Sequence, residues 1–136
     1  CTIPVLFSYW AKPQDGWEVS RFLNDDIIET ANNPRNTYLA LGTLPMQSPK
    51  YAIKELERCK ELGLVGIQIG SNINDKNLSE PEFHELWAAL EELDMPVMIH
   101  PWLHVHSYLV GFLKNSPLFE SVCHTLEDLF FLPLAA

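Results

Sequence analysis

The chain holds 136 residues, 47% of them hydrophobic and 20% charged, enough for one domain with a real core and unlike a disordered tract. Eighteen acidic residues against 9 Lys and Arg give a net charge of −9, which argues against a nucleic-acid surface or a basic face for anionic lipid. Three cysteines at no metal-like spacing, Cys1, Cys59 and Cys123, read as reduced intracellular thiols, and no apolar run reaches membrane-spanning length.

The opening "CTIPVLFSYW" lacks a charged leader and a cleavage pattern, and it starts with Cys rather than Met, so a natural start is expected upstream. Residues 2–8, "TIPVLFS", are expected to form a strand, followed by a polar loop. Asp15 and Glu18 have capping-box spacing. The helix they open should bury Val19, Phe22, Leu23 and Ile27 and end at "NNP", where Pro34 cannot continue the ladder. A second strand is expected over 37–42. Ser48 and Pro49 then open a second helix with an N-cap and Pro at its first position. Its face is Ala52, Ile53, Leu56 and Cys59, and Gly63 closes it. A third strand covers 64–69. Ser79 and Glu82 repeat the capping-box spacing ahead of the stripe Phe83, Leu86, Trp87, Leu90 and Leu93, which reads as core. A fourth strand covers 96–100.

The strand centres recur about every 30 residues, the rhythm of β/α units with right-handed crossovers and parallel strands. A closed (β/α)8 barrel needs roughly 250 residues. The fold class expected is therefore α/β, a partial (β/α)8 TIM-type barrel of about three and a half units over 1–102. Beyond it lies a divergent tail, 103–136, with possible helices at 107–114 and 116–130.

Three of the five histidines fall within "MPVMIHPWLHVHS". His100 ends the fourth strand on the side where β/α barrels carry their active sites. It is either a ligand there or a hydrogen-bonded core histidine. His104 and His106 form an HxH pair without a regular strand under it, which favours loop or surface histidines. His84 lies on an exposed helix phase and His124 in the tail, so neither is assigned a role. Asn72 and Asp75 lie at the same rim and read as turn formers.

Several stretches carry a family resemblance: "PVLFSYWAKP", "LGTLPMQSP", "KELERCKELGLVGIQIGSNIN" and "MIHPW". Together, and in this order over residues 1–102, they resemble the metal-dependent decarboxylases of the amidohydrolase superfamily. The resemblance implies a (β/α)8 barrel holding one zinc (Zn), and a non-oxidative decarboxylation of an enol-amine semialdehyde from tryptophan breakdown. That reaction diverts material from quinolinate and so from NAD formation. The implied ligands are an HxH pair on the first strand, the histidine of HPW and a late aspartate, with a further histidine as general base. Only the HPW ligand has a matching position, His100; the HxH pair would lie upstream of Cys1. The family's aspartate after HPW is Leu103 here, and HGGG-like and TDYP-like segments are absent. The join "RCKELG" is one residue short of the pattern, and "YLVG" at 108–111 reads as a remnant.

The resemblance further implies a small-molecule substrate, a homodimer and a cytoplasmic location. Tyr9, Trp10 and Trp102 are the candidate substrate-binding residues; structural packing is the alternative for each. The second functional reading is a catalytically inactive truncated piece, or an interaction partner, lacking most metal ligands.

Overall fold

The computed structural model describes residues 1–35 and 38–101. Trp102, His104, His106, Cys123, His124 and the helices expected at 107–114 and 116–130 lie outside them.

The described chain alternates helix and strand. A 3-10 turn at Pro4–Leu6 precedes α1, Pro13–Ala31. Then come β1, Leu41–Thr43; α2, Pro49–Leu62; and β2, Gly66–Gly70. A small hairpin, β3 at Asn72–Ile73 and β4 at Lys76–Asn77, leads to a 3-10 turn at Pro81–Phe83, α3 at His84–Glu92 and β5 at Val97–His100. The strands β1, β2 and β5 form one parallel sheet in the order β1-β2-β5. This is the α/β, partial TIM-type barrel that the thirty-residue rhythm predicts.

Side chains of the sheet sort into two faces. A Cβ on Gly42 would meet Cys59 Sγ and Leu64 Cδ1 at 3.0 Å and Asn24 Oδ1 at 3.2 Å, so Gly42 faces the helices. Side chains alternate along a strand. Thr43 therefore points to the opposite face. Register carries Gln68, Gly70, Met98 and His100 onto that face with it. The helix side holds the core, including Leu56, Cys59, Ile67, Ile69, Leu86 and Leu90. Fully burying one such aliphatic side chain contributes about 1.5–3 kcal/mol.

Five local expectations need correction. Residues 2–8 are no strand: Leu6 and Phe7 donate their N–H groups to Ile3 O and Pro4 O, closing a turn, and Ile3 and Val5 are exposed. Pro4 fixes φ and removes a donor, which suits a turn start better than a ladder. The strand expected at 37–42 runs instead at Leu41–Thr43, and Leu39 just before it is exposed. Helix α1 begins at Pro13 with Lys12 at the N-cap, so Asp15 sits inside the first turn and Glu18 accepts from Gln14 Nε2. Proline at the first helical position, with φ already set, outcompetes the capping box. Glu82 likewise serves no cap; it pairs with Lys76 Nζ at 2.9 Å. Finally, α1 buries Gly16, Ser20 and Asn24, leaving Phe22 73% exposed and Val19 exposed. The cause is the buried hydrogen bonding described below, which turns Asn24 inward.

The remaining elements stand close to expectation. Helix α2 starts at Pro49 and ends at Gly63, whose φ of 86° is the left-handed cap. The third and fourth strands are displaced by one or two residues at an end. Phe83, Leu86 and Leu90 are buried, with Trp87 and Leu93 packed against them.

Candidate metal-binding rim

His100 is the last residue of β5, in register with Gly70 at the end of β2. It therefore stands at the C-terminal edge of a parallel sheet, on the face away from the helices. The pairing continues one step further, as Ser71 N donates to His100 O at 2.9 Å. The ring Nδ1 lies 2.8 Å from Pro101 O. A carbonyl only accepts, so Nδ1 is the donor here, and Nε2 is the nitrogen that a metal would take. Metal-bound histidines characteristically anchor the other ring nitrogen in this way.

Three further segments meet at the same rim. Tyr9 is buried, stacks on Phe7 at 5.4 Å, and its hydroxyl oxygen accepts the Gly70 N–H at 3.0 Å. Burial pushes the Tyr9 phenol well above its ordinary range, with the Gly70 N–H partly offsetting that rise. The hydroxyl therefore stays neutral. Asn74 Nδ2, in the β3–β4 turn, donates to Tyr9 O at 2.7 Å. Gln47 Nε2, following β1, donates to Ser8 O at 3.2 Å and Ala11 O at 3.4 Å. The Ser8–Ala11 loop is thus tied both to the loop after β1 and to the end of β2. Between those ties Trp10 is 83% exposed. Asn72 pairs with Asn77, and Asn74 and Asp75 take positive φ, as a two-residue hairpin turn requires.

Behind the rim lies a buried polar cluster that the sequence reading missed. Asn24 Oδ1 accepts Thr43 N–H at 2.8 Å while its Nδ2 donates to Thr43 O at 3.0 Å. The same Nδ2 donates to Glu55 Oε1 at 2.8 Å. Glu55 is fully buried and also accepts from Trp17 Nε1 at 3.1 Å and Arg58 Nη2 at 2.7 Å. Arg58 reaches on to Asp25 at 2.6 Å. The Glu55 hydrogen bond, chiefly, raises the guanidinium further above its usual range. Burial, with the Glu55 charge adding, pushes the Cys59 thiol up to about 12. The available signals were Glu55 in phase with Ala52, Leu56 and Cys59, and Asn24 in phase with Gly16 and Ser20.

Among the described residues no group of three or more His, Cys, Asp or Glu side chains is placed to hold a metal ion. His100 fits as one imidazole donor with a fixed tautomer; catalytic zinc sites typically use three protein ligands.

Comparison with known proteins bears on this rim. The chain is 48% identical over 102 residues to 2-amino-3-carboxymuconate-6-semialdehyde decarboxylase of Dictyostelium discoideum, covering 74% of this chain and 28% of that protein. It is 30% identical over 118 residues to the protein of the same name in Caenorhabditis elegans, covering 72% and 29%. The chain thus spans less than a third of these curated relatives. A crystal structure of dihydroxybenzoic acid decarboxylase from a Polaromonas species, with bound manganese and the inhibitor 2-nitroresorcinol, superposes with a TM-score of 0.66. That likeness is at 27% identity and covers 79% of this chain and 35% of that one. The family described as Amidohydrolase matches residues 8–131. A parallel β/α array with a histidine at its C-terminal rim, matched over that span, belongs to the amidohydrolase family.

Proposed function

We propose that this chain is the His100-bearing section of a metal-dependent carboxy-lyase. The substrate we assign is 2-amino-3-carboxymuconate 6-semialdehyde, decarboxylated without oxidation during tryptophan breakdown, which limits quinolinate and NAD formation. The observation that carries the reading is His100 on the rim, its Nδ1 bonded to Pro101 O. The two relatives named for this reaction support the substrate. The metal we assign is zinc, held in part by His100 Nε2; a structural neighbour holds manganese. When bound, a divalent cation supplies electrophilic stabilisation of developing negative charge.

The chain's own residues orient and enclose. The Pro101 carbonyl fixes the His100 ring, and the Tyr9 hydroxyl and Gln47 amide hold the Ser8–Ala11 loop against the ends of β1 and β2. Tyr9 and Trp10, with Trp102 outside the described residues, are the substrate-binding residues in this reading, which also takes the intact protein as a cytoplasmic homodimer. A second reading, a catalytically inactive section, is favoured by the lack, among the described residues, of any group of three or more His, Cys, Asp or Glu placed to hold a metal ion.

The test grafts residues 1–101 into the Dictyostelium relative in place of its matching stretch. Loss of semialdehyde absorbance and bound zinc are then measured. Turnover in the graft, with loss of zinc and of turnover in its His100→Ala variant, is expected. The 136-residue chain alone should show neither turnover nor submicromolar zinc affinity. A graft that keeps its zinc after His100→Ala would refute the ligand assignment.

A further inference from the structure

Strand β2 outruns β1. The pairing of the two ends at Thr43 opposite Gln68, while β2 continues to Gly70, which pairs in register with His100 on β5. N–H groups along a strand point alternately to one neighbour and the other. Ile67 and Ser71 donate to Pro96 O and His100 O, both at 2.9 Å, on the β5 side. The Gly70 N–H therefore faces the β1 side, beyond the last residue of β1. Gly70 is buried, and a buried N–H left without a partner is costly. The Tyr9 hydroxyl accepts it at 3.0 Å and so stands where a β1 carbonyl would.

Tyr9 is itself held. Its ring is 2% exposed and stacks on Phe7 at 5.4 Å, and Asn74 Nδ2 donates to its carbonyl at 2.7 Å. From Tyr9, hydrogen bonds run in series to the histidine. The Gly70 N–H meets the Tyr9 hydroxyl, the Ser71 N–H meets His100 O, and His100 Nδ1 meets Pro101 O at 2.8 Å. Gly70 and Ser71 are consecutive, so fraying at one loosens the other.

We propose that the Tyr9 hydroxyl is a positioning group for His100, fixing the imidazole through the ends of β2 and β5 without touching metal or substrate. The proposal rests on the reading of His100 as a metal ligand and adds what aims its ring. Substrate contact by Tyr9, in that reading, belongs to its aromatic ring.

The test uses the full chain, isotopically labelled, in EDTA at about pH 8.5, where an ordinary imidazole is neutral. Amide exchange is followed at Gly70 and Ser71, and the ring nitrogen shifts of His100 report the share protonated at Nδ1. In the parent the Nδ1–H form should predominate. Tyr9→Phe keeps the ring and removes only the hydroxyl. Both amides should then exchange about tenfold faster, the worth of one hydrogen bond, and His100 should shift towards the Nε2–H form. Asn74→Ala, which loosens Tyr9 but leaves its hydroxyl, should move both readouts the same way by less. Gly63→Ala strains the chain at the opposite end of β2 and should leave the His100 ring unchanged. In the graft, Tyr9→Phe should raise the zinc dissociation constant about tenfold. An unmoved His100 ring in Tyr9→Phe overturns the proposal, whatever the melting temperature does. So does an equal ring shift in Gly63→Ala, which would mark a general loss of stability, and so does unchanged zinc affinity in the Tyr9→Phe graft while His100→Ala abolishes binding. If the ring shifts in Tyr9→Phe while the graft keeps its zinc after His100→Ala, the positioning stands and the ligand assignment falls. If His100→Ala loses the zinc and the ring is unmoved by Tyr9→Phe, the reverse follows.

Discussion

At the scale of single residues, Asn24 and Glu55 do the most to define this fold. The Asn24 amide acts as a rung of sheet, meeting both backbone groups of Thr43 where β1 ends. Glu55 is tolerable in the interior because four N–H donors and the Cys59 thiol converge on it and Arg58 supplies the counter-charge. Removing one member leaves the others buried and unpaired. Asn24→Ala should therefore cost about 2–4 kcal/mol of stability in urea unfolding, from two backbone groups and one carboxylate contact. Cys59 belongs to the same cluster. Its thiol sits at about 12 against an ordinary 9.0. The fold thus keeps a proton that the unfolded chain releases first. This contribution is complete below pH 9 and is lost as pH rises towards 12. Tyr9 acts in the same direction. At pH 8, Cys59 should resist iodoacetamide until urea unfolds the chain, as read by peptide mass mapping; rapid labelling in native buffer would contradict it.

Elements differ in how they are anchored. Helix α3 packs in the ordinary way, with Leu86 and Leu90 inward. Helix α1 buries small and polar residues at Gly16, Ser20 and Asn24, packs Ile27, Ile28 and Ala31 against the core, and turns Phe22 out to solvent. The two helices should respond oppositely to truncation. Phe22→Ser should change the unfolding free energy by less than about 0.5 kcal/mol, whereas Leu86→Ala should cost about 2–5 kcal/mol. The end of α2 depends on Gly63 at a φ of 86°. Gly63→Ala should cost about 1–2 kcal/mol, because an L side chain is strained there. All three values can be read from one set of urea titrations.

At the scale of the whole molecule, the two outer strands of the sheet among the described residues are unlike. The edge of β1 is closed at Thr43 by the Asn24 side chain. On β5, Met98 and Ile99 are exposed, Ile99 at 55%. An exposed apolar edge strand is a template for pairing. The isolated chain should therefore self-associate through β5, and Ile99→Lys should shift sedimentation velocity towards monomer. An unchanged profile would place the contact elsewhere, for example on Trp10 or Phe22.

The sequence by itself determined neither the turn at Pro4–Leu6 nor the β3–β4 hairpin, but it did determine the alternation of three helices with the three strands of the main sheet, their parallel arrangement and the position of His100 at a strand end. Those follow from hydrophobic periodicity and from Pro49 and Gly63, which act within a few residues of themselves. Only the tertiary structure decided which face of α1 turns inward, because a buried amide with Thr43 and Glu55 to answer outweighs an apolar stripe. It also decided that "TIPVLFS" makes a turn, since a short apolar run reads alike as strand or turn until its neighbours are known. The pairing of Thr43 with Gln68 was invisible for the same reason. The two lie 25 positions apart in the chain, and register between strands is set by packing across the sheet.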